Sequence, residues 1–293
     1  MPRRRFVSAA ATAAAILLAA APDGAATAAG RRQQPLPASA TAGPGLPLAA
    51  CEHGLERARR DAADTLAVAG ASFTAGVGTG VATRSWAILL AHMLHWNAVV
   101  DGVAGAGYVR AGLGGLGPVA AELTRIGLRA LAPSLVIIQA GHDDIGAPVR
   151  AEQQRVRQAI ALIRAQAPHA RIALITVFTA DHRRFAGRYA AAAAYRTDQA
   201  IVAAATGADH NVIIMDPLAA RWAFARSPDG LHPTMTGSKW IARKVASILR
   251  SHGIAAAAGT AAAGTPRVCD SGISPRRLHP PVIPFAIHTR PRA

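Results

Sequence analysis

Between residues 65 and 249 the chain alternates between short, continuously apolar runs and longer segments whose apolar residues recur with a helical period. The runs predict five strands, over residues 65–69, 98–101, 134–140, 171–178 and 212–216. The longer segments predict helices over residues 83–95, 119–132, 149–166, 189–206 and 234–249. Apolar strands separated by helices are typical of a parallel sheet covered on both faces. The pattern therefore predicts an α/β fold, a three-layer α/β/α sandwich around a five-stranded parallel sheet.

Four short motifs interrupt this pattern. They are Gly70-Ala71-Ser72-Phe73-Thr74, Gly102-Val103-Ala104-Gly105, Gly141-His142-Asp143-Asp144 and Asp229-Gly230-Leu231-His232-Pro233. The first three directly follow predicted strands, and the carboxyl ends of parallel strands meet at one edge of a sheet. Ser72, Asp229 and His232 are the residue types of a hydrolytic triad. The residues alone leave open a turn role for Ser72 and a helix-capping role for Asp229.

In this order the four motifs resemble those of the SGNH (GDSL-type) hydrolase family, over roughly residues 63–252. The resemblance implies the flavodoxin-like fold of that family, with Ser72 as the nucleophile and Asp229 and His232 completing the triad. It also implies an oxyanion hole formed by the backbone N–H groups of Ser72 and Gly105 and a side-chain donor at position 143.

The chain departs from the family pattern at two positions. Ala71 replaces the Asp of Gly-Asp-Ser, which we expect to be tolerated because that Asp does not perform the chemistry. Asp143 replaces the Asn of Gly-x-Asn-Asp, and an ionised carboxylate would repel a developing oxyanion. Either Asp143 is held protonated, or another group substitutes for it, or the enzyme is slow. His142 is an adjacent candidate donor, although its side chain should point elsewhere.

The resemblance implies a serine ester hydrolase, and the signal peptide predicted below implies that it is exported. The chain has few aromatic residues, which favours short acyl groups on cell-envelope glycans or small lipids over long-chain triglyceride. Two alternatives stay open: an acyltransferase that uses a sugar hydroxyl as acceptor, and a degenerate binding module. We expect a monomer. We also expect no metal, because His92 and His95 lack companion ligands, and no cofactor, because the glycines at 76, 78 and 80 lack a phosphate-binding context.

The formal charge of +16 does not indicate a nucleic-acid partner. Lys239 and Lys244 are the only lysines, and the arginines are scattered without a basic stripe. An exported cationic protein can instead associate peripherally with an anionic cell envelope.

The ends of the chain differ from the region between them. Arg3-Arg4-Arg5, an apolar run over residues 9–21 and Ala26-Thr27-Ala28 predict a secretory signal peptide over residues 1–28. General secretory export is favoured. The twin-arginine route stays open because Arg3-Arg4-Arg5-Phe6-Val7 resembles a twin-arginine signal, although Pro2 stands where Ser or Thr is usual. We expect a linker over residues 29–53, the hydrolase domain over 54–253, an Ala- and Pro-rich tail over 254–293, and a secreted or envelope-associated location.

Cys51 and Cys269 flank the region that carries the motifs. In an exported protein an even cysteine count permits a disulfide, and we predict a Cys51–Cys269 bond, with two unpaired thiols as the alternative. Leu48-Ala49-Ala50-Cys51 looks like a lipidation signal, but roughly 25 residues separate it from the apolar core of the signal peptide, which disfavours lipidation.

Overall fold

The computed structural model describes residues 64–181, 191–254 and 268–270. All of them belong to the second of two units into which the chain divides, residues 44–293. The predicted signal peptide and linker, the short basic helix expected before residue 63, and Cys51 lie outside the described residues.

The sheet has the strand order β5-β4-β3-β1-β2-β6, and every neighbouring pair is parallel. Its strands are β1 Thr65–Gly70, β2 Asn97–Gly102, β3 Leu135–Gln139, β4 Arg171–Ile175, β5 Ile213–Met215 and β6 Val268–Asp270. The five predicted strands are confirmed. β6 is an additional edge strand, and it lies in the segment that we expected to be a tail.

The helices lie where the apolar period predicts them, with differences at their ends. They are α1 Trp86–Leu94, α2 Val119–Ile126, α3 Leu128–Leu131, α4 Val149–Gln166, α5 Ala191–Ala208 and α6 Met235–Ser251. The predicted helix over 119–132 is divided, because Gly127 adopts φ 68° and ends α2. α1 begins later than predicted, because Ser85 caps it by accepting a hydrogen bond from the Ile88 N–H.

Both faces of the sheet are covered. Leu66 and Val68 of β1 pack in one apolar cluster with α1 and α6, whereas Ala67 and Ala69 pack in a second cluster with α2, α4 and α5. Successive side chains of a strand point to opposite faces, so every residue of β1 is buried. The three-layer α/β/α architecture is confirmed.

Backbone hydrogen bonds at the carboxyl ends of the three central strands bring the first three motifs to one level. The Ala71 N–H donates to the Gln139 carbonyl over 2.9 Å, and the Val103 N–H donates to the Gly70 carbonyl over 2.8 Å. A Cβ at Gly102 would overlap the backbone of Ala75, so this glycine lets the segment after β1 lie against β2. Among the described helices, none is both long and apolar enough to cross a bilayer.

Candidate active site

Ser72 lies in a tight turn that directly follows β1. The Ala71 carbonyl accepts the Ala75 N–H, and the Ser72 carbonyl accepts the Val77 N–H, each over 3.0 Å. The Thr74 hydroxyl donates to Gln139 Oε1 over 2.9 Å and joins the turn to β3. Ser72 is consequently held at the edge of the sheet, with 8% of its surface exposed.

Ser72, His232 and Asp229 form a continuous chain of hydrogen bonds. His232 Nε2 lies 2.8 Å from Ser72 Oγ, and His232 Nδ1 lies 2.7 Å from Asp229 Oδ2. A carboxylate only accepts hydrogen bonds, so Nδ1 carries the proton and Nε2 is left to accept from the Ser72 hydroxyl. This arrangement can transfer a proton from the serine to the imidazole.

Of these three residues, Asp229 accepts the most hydrogen bonds. Its Oδ1 accepts from the Ser227 hydroxyl over 2.7 Å and from the N–H groups of Leu231 and His232 over 2.8 and 3.0 Å. Burial acts to raise the pKa of Asp229, but the hydrogen bonds from His232, Ser227 and Leu231 outweigh it and hold the pKa well below its usual range. Asp229 therefore stays ionised and can stabilise a protonated His232.

The loop that carries Asp229 and His232 is closed at its base. The Ser227 N–H donates to the His232 carbonyl over 2.7 Å, the Thr234 N–H donates to the Ala225 carbonyl over 3.0 Å, and Arg226 pairs with Pro233 in an antiparallel bridge. Arg226 also donates to Thr179 Oγ1 over 2.6 Å, which fastens the loop to the segment after β4.

Gly78 is a supporting residue that the sequence analysis did not identify as part of the site. A Cβ at Gly78 would lie 2.8 Å from His232 Cβ and 2.6 Å from the Pro233 carbonyl oxygen, and its φ is +87°. Only glycine combines that close approach with that backbone conformation. The only available sequence signal was the Gly76-x-Gly78-x-Gly80 spacing, which we considered only for phosphate binding.

Two backbone N–H groups are available for an oxyanion. Within the described residues, neither the Ser72 N–H nor the Gly105 N–H donates to any acceptor. Gly105 has φ 79°, and a Cβ there would be in no close contact, the nearest atoms being those of Leu113 at 3.8 Å. These are the two backbone donors that the resemblance implies.

Asp144 shapes the loop that carries Gly105. Its carboxylate accepts the N–H groups of Tyr108 over 2.5 Å, Val109 over 3.2 Å and Arg110 over 2.9 Å. The third motif thereby holds the second motif in place. Burial raises the pKa of Asp144, and the backbone N–H donors oppose that shift. No pattern in the sequence assigns Asp144 this role, because its partners are backbone groups that residue types do not reveal.

The turn after β3 places Asp143 and His142 differently. Asp143 is partly buried, whereas His142 is buried with its Nδ1 3.3 Å from the Phe178 carbonyl. Burial lowers the pKa of His142 to about 4; the Phe178 carbonyl opposes this shift and the nearby His232 adds to it. His142 is therefore neutral at neutral pH.

An aromatic cluster lies beneath the site. The rings of Phe73 and Phe178 stack at 4.2 Å, Phe224 meets both edge-on, and the His232 imidazole lies 5.5 Å from the Phe73 ring. Arg226 places its guanidinium 4.4 Å over Phe224. The three phenylalanines of the described residues thus pack together beneath the loop that carries His232, which their number alone could not indicate.

A buried carboxyl lies on the opposite side of the Ser72 turn. Glu122 of α2 accepts the Gly70 N–H over 2.5 Å. Burial, and then the nearby Asp101, raise the pKa of Glu122 well above its usual range, although the Gly70 N–H and the Arg125 guanidinium oppose this shift. Within the described residues, no three His, Cys, Asp or Glu side chains are grouped as metal ligands.

Comparisons with known proteins find a family model and solved structures that this chain resembles. The model of the GDSL-like lipase/acylhydrolase family matches residues 68–240. No curated protein matches the sequence. A carbohydrate esterase family 2 enzyme with a carbohydrate-binding domain from Corynascus thermopiles (Myceliophthora fergusii) is 19% identical, with a TM-score of 0.53 over 65% of this chain and 67% of that one.

Two further solved structures share the fold. A protein from Agrobacterium tumefaciens str. C58, provisionally described as an arylesterase, is 19% identical, with a TM-score of 0.52 over 64% of this chain and 99% of that one. A salicylyl-acyltransferase from a tetracycline biosynthetic pathway is 17% identical, with a TM-score of 0.51 over 65% of this chain and 55% of that one.

Proposed function

Because the chain belongs to the GDSL-like lipase/acylhydrolase family, we propose that it is an exported serine esterase that hydrolyses carboxylic esters through Ser72, His232 and Asp229. The observation that carries the proposal is the hydrogen-bonded chain from Ser72 Oγ through both ring nitrogens of His232 to the Asp229 carboxylate. Export is supported by the predicted signal peptide alone.

In the proposed reaction Ser72 Oγ attacks the ester carbonyl carbon while His232 Nε2 takes the hydroxyl proton. The ionised Asp229 stabilises the imidazolium that forms. The N–H groups of Ser72 and Gly105 donate to the carbonyl oxygen as it becomes negative. His232 then gives its proton to the departing alcohol, which leaves an acyl ester on Ser72. A water molecule, deprotonated by His232, attacks this ester. His232 then returns the proton to Ser72 Oγ as the carboxylic acid leaves.

For the substrate we propose short acyl groups on cell-envelope glycans or small lipids. The aromatic side chains near the site are buried in the cluster around Phe73, so they support the histidine loop and do not line a wide acyl groove. The carbohydrate esterase that shares the fold is consistent with a glycan ester but, at its low identity, does not determine the substrate.

The acyl group can also pass to a sugar hydroxyl, since an acyl ester on Ser72 accepts either nucleophile. The acyltransferase among the structures that share the fold is the observation that favours this second candidate. A product that forms only when the sugar acceptor is present would identify a transferase, and release of free acid at the same rate with and without acceptor would identify a hydrolase.

Fluorophosphonate labelling tests the nucleophile directly. We expect wild type to be labelled on Ser72 and to release a burst of product from p-nitrophenyl acetate, and Ser72→Ala to do neither. Ser134→Ala is the matched control, because the Ser134 hydroxyl donates to Asp64 at the amino end of the sheet. An unlabelled wild-type protein without a burst would identify the chain as a binding module.

A further inference from the structure

The large exposed apolar side chains of the described residues all lie on the face that carries Ser72. Five large apolar side chains are between 41% and 51% exposed: Val81, Leu113, Val149, Tyr195 and Met235. Val81 and Leu113 lie in segments between a strand and the next helix, Val149 and Met235 begin α4 and α6, and Tyr195 is in the second turn of α5. In a parallel α/β sheet these positions share the edge formed by the carboxyl ends of the strands.

Two of these residues have neighbours that tie them to other segments of the same face. Arg84 Nη1 lies 3.1 Å from Met235 Sδ, which brings the segment before α1 against the start of α6. Leu113 is the nearest neighbour of the position that a Cβ on Gly105 would occupy. We call the five apolar residues the apolar rim.

The same face is cationic. Its exposed arginines are Arg84, Arg110, Arg150, Arg196 and Arg221. Arg84, Arg150 and Arg196 form no ion pair within the described ranges. Among the acidic side chains on this part of the described surface, only Asp229 is exposed, and it is hydrogen-bonded to His232. Asp143, Asp181 and Asp216 are partly buried.

The opposite face, formed by the amino ends of the strands, differs in its exposed apolar side chains. It also carries exposed cations, among them Arg129, Arg171 and Arg250, but none of the large exposed apolar side chains of the described residues lies there. Single exposed apolar residues are ordinary on a protein surface. Their restriction to the face that carries Ser72 and arginines without an ion pair in the described residues fits a partner that offers negative charge and apolar material together.

We propose that the Ser72 face docks on an anionic phospholipid surface, with the arginines on lipid phosphates and the apolar rim entering the boundary between headgroups and acyl chains. Guanidinium groups suit phosphate oxygens, and apolar side chains gain free energy on leaving water at that boundary. A soluble polyanion would satisfy the arginines but would leave the rim in water. Together with the proposed esterase activity, this docking would present esters carried at the membrane surface to Ser72.

Vesicle co-sedimentation of the mature protein tests the proposal. Vesicles of phosphatidylglycerol and phosphatidylcholine in equal parts are compared with pure phosphatidylcholine vesicles. We expect wild type to bind the anionic vesicles, and the charge variant Arg84→Gln/Arg150→Gln/Arg196→Gln to bind at least about tenfold more weakly. The rim variant Val81→Ser/Val149→Ser/Met235→Ser should also bind about tenfold more weakly, at unchanged net charge.

The control variant Arg129→Gln/Arg171→Gln/Arg250→Gln removes the same charge from the opposite face and should bind like wild type. An equal loss in the control and charge variants would overturn the proposal, since only net charge would then matter. The proposal would also be overturned, in favour of a soluble polyanion as partner, if the rim variant bound the vesicles like wild type and soluble dextran sulfate displaced the protein from them.

Hydrolysis of p-nitrophenyl acetate is measured on the same samples. This soluble ester needs no membrane, so the charge, rim and control variants should all retain wild-type rates. Leu113 is left unchanged because it lies beside Gly105. Ser72→Ala should bind vesicles like wild type, which separates docking from catalysis: a wild type that binds vesicles but hydrolyses nothing would contradict the proposed function alone.

Discussion

Gly107 lies so close to Asp144 that a Cβ on the glycine would overlap the carboxylate. This contact allows the Asp144 carboxylate to accept three successive N–H groups, those of Tyr108, Val109 and Arg110. The backbone loop that presents the Gly105 N–H is thus built around the side chain of another motif. We assign Asp144 a positioning role in the proposed reaction.

We expect Asp144→Asn to lower kcat by about 10- to 100-fold. This does not exceed the effect of losing one oxyanion donor outright, which is typically about 10²- to 10³-fold. A neutral amide accepts hydrogen bonds less strongly than a carboxylate, so the loop and the Gly105 N–H should be less well held. The free energy of unfolding should also fall, by about 1–3 kcal/mol. Steady-state kinetics and urea unfolding check the two effects. Asp64→Asn, at the edge of the sheet formed by the amino ends of the strands, is the control. A destabilised Asp144→Asn protein with wild-type kcat would assign Asp144 a structural role only.

The proposed triad makes a direct prediction. Ser72→Ala and His232→Ala should each reduce the esterase rate by at least about 10³-fold, because nucleophile and base act as one unit. Circular dichroism should show both variants folded, since the two side chains lie in loops at the edge of the sheet. Activity comparable to wild type in either variant would contradict the triad assignment.

Asp143→Asn should raise kcat by about tenfold or more, on the scale of a regained oxyanion donor. At the position that the resemblance assigns to it, an ionised Asp143 opposes the developing charge, so wild-type activity requires a protonated carboxyl together with a neutral His232. These two requirements conflict, and we expect a narrow pH profile that the substitution extends to higher pH. A lower kcat in Asp143→Asn would show that the carboxylate has a positive role.

Glu152 should make the folded state less stable as pH rises. Burial, and then the nearby Asp144, raise its pKa to about 9. A group with a raised folded pKa contributes fully below its unfolded pKa, near 4.3, and this contribution is lost as pH rises toward 9. Glu152→Gln removes the titration, so its Tm relative to wild type should increase from pH 4 to pH 9, by several degrees. Calorimetry across this range measures the trend, and a constant difference in Tm would refute it.

The Cys51–Cys269 disulfide stays a prediction, because Cys51 and the side chain of Cys269 are not among the parts of the chain that the structure describes. Such a bond would join the expected linker to edge strand β6. The closed loop is long, and the chain-entropy model assigns it up to about 5 kcal/mol. Mass spectrometry of exported, non-reduced protein should find the two cysteines linked. Two free thiols would show the alternative that the sequence left open.

The sequence alone predicted those features that a local pattern encodes. Continuous apolar runs are required of strands buried on both faces, so β1 to β5 could be located. α4 coincides with its prediction because its apolar period has no interruption. The order of the motifs then placed Ser72, Gly105 and Asp143 at one edge of the sheet, since parallel strands end at the same edge.

Tertiary packing decided the rest. β6 has three residues, too few for a pattern, and forms because β2 offers an unpaired edge. The Asp144 contacts, the Gly78 support beneath His232 and the clustering of the apolar rim on one face join residues that are distant along the chain. Such contacts depend on which backbones approach one another once the sheet is packed, so the residue types alone carry no local signal for them.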